Sequence, residues 1–152
     1  MIVSDSTALI ILFDLDRIEL LENLFEIVYI SPIVLEEISV KYPVVLPPFM
    51  RIEKLKDDEL FNSLKMLLDL GESEAIALAK EKNLSIIIDE KRGRKIAKGV
   101  GLKVIGLLGV VYLNVKKGFL SKDEAISFLD DAITHGYRIS QKMVEDVLEQ
   151  LS

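Results

Sequence analysis

The sequence has no cysteine and one histidine, His135. The first absence excludes disulfides, thiolate metal sites and cysteine nucleophiles; the second excludes histidine-rich metal centres and leaves a Ser-His triad without support. Any catalysis therefore falls to carboxylates. No apolar run approaches the roughly 20 residues that a bilayer-spanning helix needs, and the amino terminus lacks a basic region ahead of an apolar stretch, so the expected location is the cytoplasm, with no membrane partner. Basic residues are the minority charge, 19 Lys and Arg against 25 Asp and Glu, for a net charge of -6. That balance argues against a generally sticky nucleic-acid binder. A nuclease stays open, because acids gathered in one pocket lower the total while a local basic patch still meets phosphate.

What is present fits one domain spanning residues 1–152: the length suffices for a substantial core, 50% of residues are hydrophobic and mean hydropathy is +0.33. Met1 to Ser4 reads as a first strand, followed by helical patterns at 6–13 and 17–25. Ile27 to Ile30 reads as a second strand. Ser31-Pro32 supplies an N-cap and an N1 proline for a helix from about Pro32 to Tyr42, ended by the proline region that follows. Arg51 to Leu55 suggests an edge strand, and 58–68 an amphipathic helix. A helix from Glu72 to about Lys82, just after Gly71, precedes the β-branched run Ser85 to Ile88, which reads as a buried parallel strand. A basic helix (90–98), a brief strand (103–105) and helices at 107–117, 122–134 and 140–151 complete the pattern, with Ser121 to Glu124 in capping-box form. Strands alternating with helices predict an α/β fold whose parallel sheet is covered on both faces.

Asp5 and Asp89 end two of these strands, and a parallel sheet brings both to one edge, where open α/β folds place ligands. The plainer role for Asp5 is helix capping, shared with Ser6 and Thr7. Helix geometry places two further acids. Val34, Leu35, Ile38 and Tyr42 define a buried face to which Glu37 lies closer than Glu36. Glu72 and Glu74 project about 200° apart, and Glu74, whose face continues through Leu78, is the favoured one. For a single glutamate near a helix N-terminus, a solvated or dipole-stabilising role is commoner. Four carboxylates together, however, would repel one another unless a cation joined them. Hard oxygen ligands select Mg²⁺ or Mn²⁺, which could polarise a phosphodiester and activate water. Lys91, Arg92, Arg94, Lys95 and Lys98 follow Asp89 and suit flanking phosphates, with Arg94 foremost; a solvated helix face is the alternative.

Asp5 to Ile10, Pro32 to Ile38, Gly71 to Ala79 and Ile88-Asp89-Glu90, in this order, resemble the PIN-domain family over nearly the whole chain. The sequence looks closest to a short prokaryotic branch, similar to VapC-type toxin ribonucleases, through Gly71 to Ala79, Arg94 and Gly136-Tyr137-Arg138-Ile139-Ser140. The resemblance implies a PIN-like (Rossmann-like) three-layer α/β/α fold with a central parallel sheet of four or five strands. It also implies Mg²⁺- or Mn²⁺-dependent ribonuclease activity on single-stranded or structured RNA, an antitoxin protein as partner, and a homodimer. Matched position by position, the metal and catalytic acids are Asp5, Glu37, Glu74 and Asp89. Ser6 or Thr7 supports them, Glu72 and Glu90 stand as supporting acids, and Arg92, Arg94 and Lys95 meet the nucleic acid. Glu at 74 replaces the commoner Asp, and Glu90 could share the role of Asp89. A silent PIN-like module that binds nucleic acid or protein is the alternative. A phosphoryl-transfer protein of receiver or haloacid-dehalogenase type fits less well, since Thr7 stands where the dehalogenase pattern wants a second Asp.

Overall fold

The computed structural model describes residues 1–41 and 43–151; Tyr42, expected on a buried helix face, lies outside the described residues. The elements run β1 (Ile2–Ser4), α1 (Ser6–Asp14), α2 (Glu19–Glu22), β2 (Val28–Ile30), α3 (Pro32–Ile38), β3 (Met50–Ile52), α4 (Glu59–Leu64) and α5 (Leu70–Lys82). They continue with β4 (Ile86–Ile87), α6 (Lys91–Gly99), β5 (Val104–Ile105), α7 (Leu107–Lys116), α8 (Lys122–Thr134) and α9 (Gln141–Gln150). All strand pairs are parallel, in the order β3-β2-β1-β4-β5. The architecture is the α/β/α sheet sandwich expected from the alternation of elements, with five strands.

The strands are short and apolar because both faces are covered: Ile2, Val3, Val28, Ile30, Ile86 and Ile87 are all buried. Backbone pairing reaches slightly past the strand ends, through Asp5 N–H to Ile87 O at 2.8 Å and Ile88 N–H to Ile105 O at 2.9 Å. The order also sets a crevice. From β1 the chain crosses over to β2 and β3 on one side, and β4 and β5 are added on the other, so connections diverge between β1 and β4. That is the switch point at which open parallel sheets accommodate ligands.

Side-chain caps start several helices. Ser31 accepts from Val34 N–H ahead of Pro32, Asp69 accepts from Glu72 N–H, and Ser121 and Glu124 form a reciprocal capping box. Asn83, at φ 55°, closes α5 in the left-handed region. Some expected helices are shorter. α3 stops at Ile38, where Ser39 N–H turns back to Leu35 O and Glu36 O. The 17–25 pattern contracts to α2, preceded by Asp16 at φ 55°. The edge strand is β3, at 50–52 rather than 51–55. Among the described residues, no helix is long and apolar enough to cross a membrane.

Candidate functional site

The carboxyl ends of β1 and β4 deliver Asp5 and Asp89 to the crevice between these neighbouring strands. Asp5 occupies the N-cap position of α1 yet makes no side-chain cap hydrogen bond, so its carboxylate is not consumed by that plainer role. It is 3% exposed. Burial pushes its pKa from 3.8 up to about 7; the Ser6 amide partly offsets this, while Glu37, Asp69 and Asp89 add to it as nearby negative charges. Those three neighbours come from three other segments of the chain.

Glu37 projects from α3 and is half-buried. Its pKa is raised by burial, held back by a hydrogen bond from the Ser6 hydroxyl, and raised further by Asp69 and Glu36. Ser6 is thus the hydroxyl that meets one of these acids, while Thr7 lines a groove described below. Asp89 is raised by burial as well, but three groups resist: the Leu107 amide, the Tyr137 hydroxyl and the Arg94 guanidinium.

The α5 acids behave differently from the expectation built on helix geometry. Glu74 accepts a hydrogen bond from Ile33 N–H at 2.9 Å, which satisfies a free donor in the first turn of α3. Glu72 is the α5 acid that faces the others. It is 7% exposed, and its pKa rises from 4.5 to about 8 through burial, a hydrogen bond shared with Asp69, and the charges of Asp69, Asp5 and Glu90. Asp69 joins this group without a signal in the sequence, since it lies between two helical stretches and ends no strand. It caps α5, its Oδ1 accepting from Glu72 N–H at 2.8 Å, and it also adds negative charge beside Asp5, Glu37 and Glu72.

Among the described residues, four buried side-chain polar atoms have no hydrogen-bond partner: Asp5 Oδ1, Glu37 Oε1, Glu72 Oε2 and Asp89 Oδ2. Each belongs to one of these acids, and each acid comes from a different segment. An orphaned buried oxygen is costly. Four of them on mutually repelling carboxylates make a donor set of hard oxygens that suits a divalent cation. Among the described residues no three acids are gathered tightly enough to cage an ion as they stand. The donors thus converge on a shared crevice without forming a closed shell.

Glycines make room for three of the four. A Cβ at Gly71 would collide with the Glu37 carboxylate and one at Gly93 with Glu72 Oε2, while one at Gly106 would lie 2.7 Å from Asp89 Oδ1 and 2.8 Å from Arg94 Nη1.

From Asp89 and Thr7 a groove of about 1250 Å³ leads away between α6, α7 and the 136–150 segment. Lys91, Lys95 and Lys98 line it on one side and Arg138 on the other, with Tyr112, Ile139 and Met143 among its less polar lining. Arg94 also lines it, but one Nη1 bond goes to Ile88 O at 3.1 Å and its charge lies beside Asp89, so it bridges acid and groove. Arg92 is exposed and does not line the groove. Glu90, also exposed, stands at the groove mouth.

A family model described as a PIN domain matches residues 1–152. No curated protein matches the chain.

Proposed function

The chain belongs to the PIN-domain family, a nuclease-type fold, and from that premise we propose that it is a Mg²⁺- or Mn²⁺-dependent ribonuclease that hydrolyses phosphodiester bonds in RNA. The observation that carries this reading is the set of four orphaned oxygens on Asp5, Glu37, Glu72 and Asp89. These residues would hold the ion, with Ser6 steadying Glu37 and Asp69 at the rim. When bound, the ion supplies charge stabilisation at the scissile phosphate and lowers the pKa of a coordinated water. The chain's own residues do the rest. The closed packing around Asp5 excludes bulk water, Arg94 balances the charge of Asp89, and the lysines of α6 draw the phosphates flanking the cut into the groove. Glu74, expected as a ligand, is better read as supporting α3, the element that carries Glu37.

The test is cleavage of single-stranded RNA with Mn²⁺ by the wild type and by Asp5→Asn. Cleavage by the first and not the second supports the reading, and equal rates end it. The family reading extends to a cytoplasmic toxin held by an antitoxin protein, and to a homodimer. Growth arrest on expression, relieved by Asp5→Asn, tests the toxin role; co-purification of a partner tests the antitoxin, and light scattering the dimer.

A second reading, a silent module that binds nucleic acid or protein, is favoured by one observation: no ready-made cage exists among the described acids. Calorimetric titration separates the two, since a protein that takes up no Mn²⁺ at millimolar ion is a binding module.

A further inference from the structure

Gly136, at φ 99°, turns the chain sharply after α8 and lets Tyr137 drop back into the core, where it is 5% exposed and its N–H bonds Ala132 O at 2.9 Å. Its hydroxyl lies 3.1 Å from Leu108 N–H and 2.9 Å from Asp89 Oδ1. An amide N–H can only donate, so the hydroxyl accepts from Leu108 and its one proton is left for Asp89. The chain of donation therefore has one direction, from Leu108 N–H through Tyr137 to Asp89. Leu107 N–H donates to the same Oδ1 at 3.0 Å. Two donors, one from the start of α7 and one from the 136–140 turn, meet one oxygen of this carboxylate, while its other oxygen, Oδ2, is buried with no partner.

We propose that Tyr137 is a positioning residue that fixes the orientation of the Asp89 carboxylate toward a bound cation. Resting on the metal-dependent reading above, the proposal assigns a role to a side chain 48 residues away from Asp89 in sequence. With one oxygen held by Leu107 and Tyr137, tilting the carboxylate out of its plane loses both bonds, so the unpartnered oxygen would be the one free to meet an ion. Outer hydrogen bonds of this kind orient metal-binding carboxylates and tune their affinity.

Tyr137→Phe keeps the ring and removes the hydroxyl. Calorimetric titration should show Mn²⁺ affinity falling about 10- to 100-fold while the circular dichroism spectrum stays that of the wild type. Val144→Ala, which loosens the same carboxyl-terminal segment from the core but leaves the hydroxyl in place, should leave the affinity unchanged. In an Asp89→Asn background, Tyr137→Phe should add no further loss, as expected when one residue acts through the other. The proposal is overturned if Tyr137→Phe binds Mn²⁺ as the wild type does, if Val144→Ala weakens it equally, or if the Tyr137 and Asp89 losses add. A wild-type protein that binds no Mn²⁺ overturns the metal reading and this proposal together, which distinguishes that failure from the others.

Discussion

Glu72 packs against Gly93 so closely that a Cβ on residue 93 would collide with the Glu72 carboxylate and also sit 2.8 Å from Ile88 Cδ1. The basic helix α6 can approach the acidic N-terminal turn of α5 only because this one position has no side chain. Gly93→Ala should therefore cost about 1–3 kcal/mol in urea unfolding, the range for overpacking a filled core, and should weaken Mn²⁺ binding. Gly99, in the same helix, has nothing within 4 Å of its notional Cβ. Gly99→Ala should stabilise by about 0.5–1 kcal/mol. Equal effects of the two substitutions would refute the close approach.

The metal-free protein should lose stability as pH rises. Asp5 goes from 3.8 to about 7 and Glu72 from 4.5 to about 8 on folding. Between about pH 4 and pH 8 the folded state thus keeps protons that the unfolded chain has released, and binding more protons in the folded state makes stability fall with pH. The contribution is complete below the unfolded values and is lost as pH passes through the folded ones. Scanning calorimetry with a chelator should show Tm dropping by several degrees from pH 5 to pH 8. A divalent ion competes with those protons, so Mn²⁺ should raise Tm more at pH 8 than at pH 5. A flat Tm profile in the chelated protein would contradict the burial of these carboxyls.

Glu72 and Glu74 should part company under substitution. Glu72→Gln should abolish most Mn²⁺ affinity and reduce the pH dependence of Tm, leaving the part that Asp5 contributes. Glu74→Gln keeps a carbonyl oxygen for Ile33 N–H and should leave both unchanged, whereas Glu74→Ala should cost about 1 kcal/mol through the lost bond at the start of α3. If Glu74→Gln instead removes metal binding, the assignment of Glu74 to α3 is wrong.

That pair also marks where the sequence stops being readable. Asp5 and Asp89 were accessible because an acid ending an apolar β-run has one direction to go, and a parallel sheet brings such ends together. Glu37 was accessible because α3 has a clear buried face, carried by Val34 and Ile38. Helix α5 offers no such contrast: Gly71, Glu72, Ser73 and every residue from Ala75 to Ala79 are buried, so no stripe marks which way the core lies. Rotation inferred from Leu78 alone favours Glu74, whereas it is Glu72 whose buried oxygen lies unpartnered beside the other acids. Asp69 is hidden because it lies between two helices and ends no apolar run, and Tyr137 by distance, since nothing local announces a hydroxyl that will meet a carboxylate from another strand.

The groove beyond Asp89 should bind single-stranded RNA through counterion release. Lys91, Lys95 and Lys98 line it on consecutive turns of α6, while Arg92 points elsewhere. For single strands, log affinity falls with log salt at a slope of about 0.7 for each phosphate neutralised. Fluorescence anisotropy of labelled RNA on the Asp5→Asn protein, which should bind without cutting, gives that slope between low and moderate salt. Replacing the three lysines with alanine should reduce it by roughly 2 if all three meet phosphate. Arg92→Ala should leave it unchanged, because a side chain outside the groove has no flanking phosphate to meet. The overall charge of -6 predicts the opposite background: away from this face the protein repels RNA, so loss of three local cations should weaken binding instead of spreading it to other surfaces. An unchanged slope in the triple variant, or a reduced one in Arg92→Ala, would put the RNA on a different face of α6.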